Sequence, residues 1–213
     1  MNNFTQLPAR QLTVTDLGCV RAERQVLSGI SLSASSGEAF LLRGPNGAGK
    51  TSLLMCLAGY LPVSQGSITW LSRDPDQHPG EDIHFVGHLS AVKPSLSVQD
   101  NLTFWAVLNG GTEQLVLSAL QVAGLEHAAS LQAMLLSAGQ TRRLSLARLL
   151  VAPRPIWLLD EPTAALDSEG DRWVAQMIDA HLKAGGIVIA ATHLDLMLDN
   201  SGQITTLTLG GAS

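Results

Sequence analysis

The spacing of apolar and polar positions changes along the chain, and each change predicts a different kind of element. In the first third the two kinds alternate, at Gln11–Asp16 and Ile30–Ala34, and this period of two residues is typical of half-buried strands. Ala39–Leu42 is an apolar run, and the Gly-rich loop that follows it leads into a predicted helix that ends at about Gly59. The further short strands expected in this part are Gly66–Leu71 and Ile83–Gly87.

Between about Leu89 and Gln140 the pattern becomes helical. Ser97 is a favourable cap for a helix that runs through Leu102 and Trp105, and Thr112 is a favourable cap for the next helix. This stretch therefore predicts a small helical subdomain inserted in an α/β core.

The last third alternates helices with apolar strands. A helix is expected to run from Arg142 to Pro153, and Ser168 is expected to cap another. The strands expected here are Ile156–Leu159, Ile187–Ala191 and Ile204–Leu209. Strands separated by helices favour a largely parallel sheet.

Composition narrows the possible functions without naming one. The 213 residues carry a net charge of −5, and no run of Lys or Arg offers a basic surface, so we expect no nucleic-acid partner. Cys19 and Cys56 lack metal-ligand spacing and are not expected to form a disulfide, and Cys56 is expected to be a buried free thiol. The start of the chain lacks a secretory signal, and no apolar run reaches the roughly 18 residues of a spanning helix. These features predict a cytoplasmic protein, and a mean hydropathy of +0.20 favours a surface that a partner covers.

One loop carries the strongest chemical signal. Gly44–Thr51 (Gly-Pro-Asn-Gly-Ala-Gly-Lys-Thr) is a full match to G-x-x-x-x-G-K-S/T and lies between a predicted strand and a predicted helix. Its glycines let backbone N–H groups converge on phosphate oxygens, and the helix N-terminus adds the positive end of its dipole. Lys50 is expected to reach the β- and γ-phosphates, and the Thr51 hydroxyl to bind Mg²⁺. The candidate ATP phosphate-binding residues are Gly44, Asn46, Gly47, Ala48, Gly49, Lys50, Thr51 and Ser52.

Asp160 and Glu161 directly follow the apolar run Ile156–Leu159. Ligands of open α/β sheets bind at the carboxyl ends of the strands, so both carboxylates are expected at a ligand site. Asp160 suits coordination of Mg²⁺ through water, and Glu161 suits orienting or deprotonating an attacking water. Together with the phosphate loop, this pair predicts a P-loop NTPase.

Three shorter motifs resemble those of one NTPase family. Leu136–Gln140 (Leu-Ser-Ala-Gly-Gln) differs at one residue from the Leu-Ser-Gly-Gly-Gln signature of ABC ATPases, Pro162–Asp167 resembles their D-loop, and Ala191–His193 ends in a residue like their switch histidine. With the phosphate loop and the carboxylate pair, the chain resembles an ABC transporter ATP-binding subunit over most of its length. The resemblance implies a single domain, 1–213, with the α/β fold of the ABC type: a mainly parallel sheet, an N-terminal antiparallel β part and an inserted helical subdomain. It assigns residues 1–88 and 141–213 to the α/β core and 89–140 to the helical subdomain.

The resemblance also implies a mechanism in which a second copy of the chain takes part. Two copies would form a head-to-tail dimer with two ATP molecules between them, and Asp167 would act across that interface. A helix beginning near Gln140 would direct its N-terminus at the γ-phosphate of the other copy's ATP. His193 would contact the γ-phosphate and hold Glu161 and the water in place, which makes Glu161 and His193 the candidate catalytic residues. The signature residues expected to contact ATP in trans are Ser137, Ala138, Gly139 and Gln140.

Three positions depart from the common ABC pattern. Ala138 replaces a signature Gly, and its methyl group is acceptable where φ is negative. His88 replaces a Gln that touches Mg²⁺ in the family, so it is a candidate metal ligand beside Thr51 and Asp160, with simple space-filling as the alternative. Arg21 replaces an aromatic residue that stacks on adenine; its guanidinium plane can also stack on a base, and a solvated surface Arg is the alternative. These departures, with the short C-terminus, resemble the haem-exporter ATPase of cytochrome c maturation.

This closer resemblance implies partners and a location. The partners would be integral membrane permease subunits, which would handle haem themselves, and the chain would lie peripherally on the cytoplasmic face of the inner membrane. Lys93–Leu96 and Trp105 would receive a short helix of such a subunit, or Trp105 would pack within the helical insert.

Other functions stay open beside the haem exporter. An ABC ATPase for a different exported cargo fits the same motifs. A soluble ABC ATPase acting on ribosomes or DNA fits less well, because the chain has one ATPase half, no heptads and an acidic balance. A regulator that binds ATP without hydrolysis is disfavoured, because Asp160, Glu161 and His193 are all present.

Overall fold

A computed structural model describes residues 6–71, 79–193 and 204–210. The strands in these ranges are β1 (Gln11–Arg21), β2 (Arg24–Ser35), β3 (Ala39–Arg43), β4 (Gln65–Leu71), β5 (Ile83–Val86), β6 (Ile156–Asp160), β7 (Ile187–Ala191) and β8 (Ile204–Thr208). The α-helices are α1 (Lys50–Leu57), α2 (Val98–Leu108), α3 (Glu113–Ala123), α4 (Ala138–Ala147) and α5 (Ser168–Lys183). Short 3₁₀ turns lie at Pro79–Asp82, Glu126–Ala128 and Ala133–Leu135.

The first sheet is antiparallel, with β1 between β2 and β4. The turn Ala22-Glu23 joins β1 to β2, and both residues have left-handed φ, 46° and 64°, as a two-residue type I′ hairpin requires. Both strands are longer than the alternating stretches predicted from the sequence. The reason is that irregularities beside Asp16 and Gly29 shift the register and interrupt the period-two pattern.

The second sheet is parallel, in the order β5-β6-β7-β3-β8. All residues of β6 and β7 are buried, which explains why both strands are continuous apolar runs in the sequence. Since β7 lies between β6 and β3, the residues that follow these strands meet at one edge of the sheet. The expected combination of a mainly parallel sheet and an N-terminal antiparallel part is confirmed.

The two cysteines lie in the core that contains both sheets and α1. Cys19 and Cys56 are free and buried, which confirms the predicted absence of a disulfide and the predicted burial of Cys56. Burial, together with the neighbouring Cys19 thiol, raises the pKa of Cys56 to about 12. Cys56 therefore stays a protonated thiol at neutral pH, the form in which cysteine is least reactive.

A buried histidine stacks on the parallel sheet. The ring of His181 in α5 lies against Trp157 of β6, with ring centroids 3.8 Å apart and planes inclined by 11°. Gly186 leaves the space that the imidazole fills, because a Cβ there would collide with the ring. Burial lowers the pKa of His181 to about 3, and the nearby His84 acts in the same direction. The imidazole is therefore neutral at neutral pH.

Helices α2, α3 and α4 share a separate apolar core. Ser97 Oγ accepts a hydrogen bond from the Asp100 N–H (3.0 Å) and Thr112 Oγ1 accepts one from the Leu115 N–H (3.4 Å), so both predicted caps are confirmed. Trp105 packs against this core, and the Arg148 guanidinium lies 4.8 Å from its ring centroid. The structure thus shows the packing role of Trp105.

The predicted ends of two helices are wrong. α4 begins at Ala138, not at Arg142, and it ends at Ala147, well before Pro153. The prediction followed the apolar pattern, which starts only after the polar first turn of the helix. α5 begins at Ser168 itself, and its cap is Asp167, whose Oδ1 accepts a hydrogen bond from the Gly170 N–H at 2.8 Å.

Packing divides the described residues into two compact units. The first unit comprises 6–71, 79–87, 154–161, 175–193 and 204–210, and the second comprises 88–153 and 162–174. The predicted assignment of 1–88 and 141–213 to a core and of 89–140 to a helical subdomain stays a prediction. In the described ranges, no helix is both long and apolar enough to cross a membrane.

Candidate functional site

The phosphate loop joins β3 to α1, and its glycines are needed for two reasons. Gly44, Gly47 and Gly49 have φ of 135°, 83° and 96°, a region that other residues avoid. Space is also short: a Cβ at Gly44 would collide with the Leu209 carbonyl, and one at Gly49 would lie 2.6 Å from Leu27 Cδ2. The glycine pattern therefore fits a loop held tightly between neighbouring strands.

The Lys50 ammonium lies on the loop itself. Nζ donates hydrogen bonds to the carbonyl oxygens of Gly44 (2.7 Å) and Pro45 (3.2 Å), and the residue is buried. Ala48 and Ser52 are buried beside it. A cation is thus fixed at the N-terminus of α1, where the helix dipole also favours anions.

Thr51 and Asp160 meet although 109 residues separate them. The Thr51 hydroxyl donates a hydrogen bond to Asp160 Oδ2 at 2.9 Å. Asp160 is buried at the carboxyl end of β6. A hydroxyl and a carboxylate are hard oxygen donors, so this pair fits Mg²⁺.

His193 Nε2 lies among three other candidate side chains. Its distances are 3.2 Å to Asn46 Oδ1, 3.3 Å to Glu161 Oε1 and 3.4 Å to Lys50 Nζ. When protonated, Nε2 donates to one of the two oxygens, and in the other tautomer it accepts from Lys50, so one nitrogen cannot serve all three neighbours at once. The sequence did not indicate the contact between Asn46 and His193.

Glu161 has an unusual backbone conformation directly after β6. Its φ of 47° is left-handed, which costs a residue other than Gly about 1–2 kcal/mol. Its N–H donates a hydrogen bond to the Ala191 carbonyl at 2.8 Å. This bond holds the start of the turn from which the carboxylate reaches His193.

In the second unit, the signature residues form the N-terminus of α4. The Gln140 N–H donates to Ser137 Oγ (3.2 Å), and the Ser137 N–H donates to Gln140 Oε1 (3.0 Å), which is a capping box. Ala138 is the first helical residue, so its methyl group needs no left-handed φ. Gly139 approaches the D-loop so closely that a Cβ there would lie 3.2 Å from the Ala165 carbonyl oxygen.

Arg142 is a residue that sequence reasoning did not select. It is 5% exposed, and its Nε donates a hydrogen bond to the Pro162 carbonyl at 3.1 Å. Its neighbour Arg143 lies over the Trp173 ring and forms an ion pair with Glu169 at 3.7 Å. Arg142 lies on a polar helical turn without apolar periodicity, so no pattern in the sequence indicated that its side chain is buried.

The remaining candidates are exposed. Asp167 caps α5, Arg21 ends β1 at the hairpin turn, and His88 follows β5 as part of the second unit. Within the first unit, no hydrogen bond between described residues joins the Arg21 side chain to the cluster around His193. The contacts of Arg21 with adenine and of His88 with Mg²⁺ stay predictions.

Comparisons with known proteins agree with these motifs. The profile of the ABC transporter family matches residues 27–164. The "Cytochrome c biogenesis ATP-binding export protein CcmA" of Nitrobacter winogradskyi is 48% identical over 203 residues, which cover 95% of this chain and 100% of that protein. The protein of the same name from Rhodopseudomonas palustris strain BisB5 is 52% identical, over 84% of this chain and 90% of its own length.

Two solved structures share the fold. The "Putative ABC transporter (ATP-binding protein)" from Pyrococcus furiosus superposes with a TM-score of 0.79 at 24% identity, over 93% of this chain and 97% of its own. An ATP-binding cassette solved as a dimer in a post-hydrolysis state, bound to ADP and Pi, gives a TM-score of 0.77 at 25% identity, over 92% of this chain and 94% of its own. The chain therefore belongs to the ABC transporter family, among the relatives of the cytochrome c biogenesis ATP-binding export protein CcmA.

Proposed function

We propose that this chain is the ATP-hydrolysing subunit of an ABC export complex that serves cytochrome c biogenesis. The observation that carries the hydrolytic part is the convergence of Lys50, Glu161 and Asn46 on His193 Nε2, at 3.2–3.4 Å. The identity to relatives named for cytochrome c biogenesis, 48% over nearly the whole chain, supports the cellular role.

In this proposal, the phosphate loop binds the β- and γ-phosphates of ATP. Backbone N–H groups at the start of α1 face the anion, and the Lys50 ammonium exchanges its bonds to the Gly44 and Pro45 carbonyls for phosphate oxygens. The other loop residues that we assign to this binding are Asn46, Gly47, Ala48, Gly49, Thr51 and Ser52. Arg21 would stack on the adenine.

Thr51 and Asp160 would hold Mg²⁺, which supplies positive charge to the phosphates. Their hydroxyl and carboxylate oxygens already lie 2.9 Å apart. Mg²⁺ characteristically takes few protein ligands and keeps water and phosphate oxygens as the others. His88, which follows β5, is a further candidate ligand in this proposal.

Glu161 would act as the general base. The carboxylate accepts a proton from a water whose oxygen bonds to the γ-phosphorus, while the bond from that phosphorus to the β–γ bridging oxygen breaks and releases ADP. His193 Nε2, 3.3 Å from Glu161 Oε1, keeps the carboxylate oriented and contacts the γ-phosphate. Both residues stand at the ends of adjacent buried strands, a rigid support for the catalytic geometry.

We further propose that two copies of the chain act together. The related cassette solved with ADP and Pi is a dimer, and the N-terminus of α4 is suited to an anion. Ser137, Ala138, Gly139 and Gln140 of one copy would cover the ATP bound by the other, and Asp167 would act at the same interface.

Integral membrane permease subunits of the cytochrome c maturation system are the proposed partners. The chain would lie on the cytoplasmic face of the inner membrane as a peripheral subunit, and haem, where it is moved, would be handled by the permeases. Large exposed apolar side chains in the second unit, such as Phe104, Val107 and Met134, are consistent with a surface that a partner covers.

Hydrolysis is tested with the purified chain and the variant Lys50→Ala. We expect the variant to lose ATP binding, measured with a fluorescent ATP analogue, and to lose phosphate release with it. Lys183→Ala removes an exposed lysine of α5 and should match the wild type. Unchanged nucleotide affinity in Lys50→Ala would refute the phosphate-loop assignment.

The cellular role is tested separately by affinity purification of the chain from membranes of its own cells, with and without ATP. Recovery of membrane proteins needed for cytochrome c maturation supports the proposal. Recovery of a different pair of permeases would leave the role of transport ATPase in place and would refute the link to cytochrome c biogenesis.

A further inference from the structure

The turn that carries Glu161 is held from both sides. Before the turn, the Glu161 N–H is bonded to the Ala191 carbonyl (2.8 Å), and after it the Pro162 carbonyl accepts a hydrogen bond from Arg142 Nε (3.1 Å). Between these bonds lies the left-handed φ of Glu161. Such a conformation persists only where the surroundings fix it, so both hydrogen bonds bear on the direction of the Glu161 carboxylate.

Arg142, the donor to the Pro162 carbonyl, is unusually buried for a charged residue. Arg142 is 5% exposed, and charged side chains are seldom buried unless their donors are satisfied. Its Nε–H points at a backbone carbonyl in the chain segment directly after the candidate base. A flexible surface Arg could not fix a backbone turn in this way, because it would exchange the carbonyl for water.

The same residue belongs to the helix that begins with the signature. Ser137 and Gln140 define the N-terminus of α4 by their capping box, and Arg142 lies in the next turn. A second close approach, between Gly139 and the Ala165 carbonyl, joins the start of α4 to the D-loop. The first two turns of α4 therefore approach the segment 162–165 at two points within the second unit, once through the Arg142 hydrogen bond and once through the close contact of Gly139.

We propose that Arg142 is a positioning residue for ATP hydrolysis, which acts through the Pro162 carbonyl on the direction of the Glu161 carboxylate and couples that direction to the signature end of α4. This inference rests on the proposed role of Glu161 as general base. A nucleotide that contacts the N-terminus of α4 in one copy would thereby influence the base of that same copy, which serves the other nucleotide of the dimer.

A double-mutant cycle on single-turnover hydrolysis tests the proposal. The variants are Arg142→Met, Glu161→Gln and the two combined, with ³²P-labelled ATP as the probe so that slow rates can be measured. We expect Arg142→Met to lower the rate of hydrolysis about 10- to 100-fold, since small displacements of a catalytic group have effects of this size, and to leave the Kd for ATP within about twofold. In the Glu161→Gln background the same change should cost almost nothing, because the group that it positions is already inactive.

Arg148→Met is the matched control. Arg148 is also a buried Arg at the end of α4, but its guanidinium lies over Trp105. The fold-change in the hydrolysis rate caused by Arg148→Met should therefore be the same in the wild type and in the Glu161→Gln background. Circular dichroism and thermal unfolding identify the folded variants; where Arg142→Met does not fold, the cycle is run with Arg142→Lys, which keeps the buried charge and loses the planar Nε donor.

The outcomes distinguish the positioning role of Arg142 from the role of Glu161 as general base. A full effect of Arg142→Met in the Glu161→Gln background would overturn the positioning role while leaving Glu161 as the base. A normal rate in Glu161→Gln would overturn the proposed base and this inference together. A loss of ATP-dependent dimer formation in Arg142→Met, measured by gel filtration in the Glu161→Gln background, would assign Arg142 to the signature surface and also overturn the inference.

Discussion

Two groups of candidate residues differ in how they are built. In the first unit, side chains from β6, β7 and the phosphate loop contact one another directly, as Glu161 and His193 do at 3.3 Å. In the second unit, Ser137 and Gln140 bond only within their own helical turn. The first group holds the Glu161 carboxylate, the Lys50 ammonium and the paired oxygens of Thr51 and Asp160, whereas the second presents a helix N-terminus on an exposed surface.

This difference suggests a division of roles. The cluster around His193 contains side chains that can take part in the reaction, so we expect it to perform the chemical step. The N-terminus of α4 offers backbone N–H groups and no base, so we expect it to contribute to binding. Changes in the first unit should therefore act on the chemical step, whereas changes of Ser137 and Gln140, the cap of α4, should act on hydrolysis only where two copies meet; Arg142, farther along α4, is the second-unit residue proposed to act on the chemical step.

The largest effect is expected from Glu161→Gln. The amide cannot accept the proton of the attacking water, so kcat should fall about 10³-fold, while the Kd for ATP stays near that of the wild type. Steady-state phosphate release and binding of a fluorescent ATP analogue measure the two quantities. Glu126→Gln, on an exposed 3₁₀ turn, should be neutral; a similar kcat in both variants would remove Glu161 from the chemistry.

The positions of the first-unit candidate residues were easier to predict from the sequence than their contacts. Lys50, Asp160 and Glu161 lie in local motifs whose spacing itself places them at strand ends. The proximity of Asn46 to His193 depends on the order of β3, β6 and β7 in the sheet, which no local pattern encodes. In the second unit, the apolar pattern placed the start of α4 at Arg142, because the capping box, Ser137 with Gln140, lies before that pattern. The resemblance to ABC ATPases placed it near Gln140, closer to the observed start at Ala138.

The next effect concerns stability, and it should also distinguish the two units. His181 is buried in the first unit with a pKa of about 3 against 6.5 when unfolded, while His88 and His127, in the described part of the second unit, are exposed. The stability that the neutral His181 contributes is fully present above pH 6.5. It is lost as the pH falls towards 3, because the unfolded chain binds the proton first. Between pH 7 and pH 4 the loss from this group is about 3 kcal/mol of unfolding free energy.

Urea unfolding of the wild type and of His181→Phe at pH 7 and pH 4 measures this contribution. The phenyl ring preserves the stack on Trp157 but cannot be protonated, so the variant should lose about 3 kcal/mol less than the wild type over that interval. His127→Phe should keep the wild-type pH dependence. Equal losses in all three proteins would show that His181 is not responsible.

A smaller effect is expected at the start of α4. Ser137→Ala removes the cap, at a cost of about 1 kcal/mol, together with the hydroxyl proposed to reach the other copy's ATP. We expect kcat to fall about tenfold, because a hydrogen bond to a charged group contributes about 1.5 kcal/mol or more, with an unchanged Kd for ATP in the isolated monomer. Ser97→Ala removes a comparable cap from α2 in the same unit and should reduce stability alone. Equal losses of kcat in Ser137→Ala and Ser97→Ala would show that Ser137 acts only as a helix cap.

The smallest effect belongs to Arg21, the first-unit residue that stands apart from the cluster. Stacking of a guanidinium on a base contributes about 0.5–1 kcal/mol at an exposed site, so Arg21→Ala should raise the Kd for ATP about threefold. Arg24 lies directly opposite on β2, and Arg24→Ala removes the same charge from the same hairpin. If Arg21 stacks on the adenine, only Arg21→Ala weakens the binding of ATP, and this loss of affinity persists at high salt. Equal, salt-sensitive losses would instead indicate general attraction of the phosphates by the hairpin, since electrostatic attraction between exposed charges is screened.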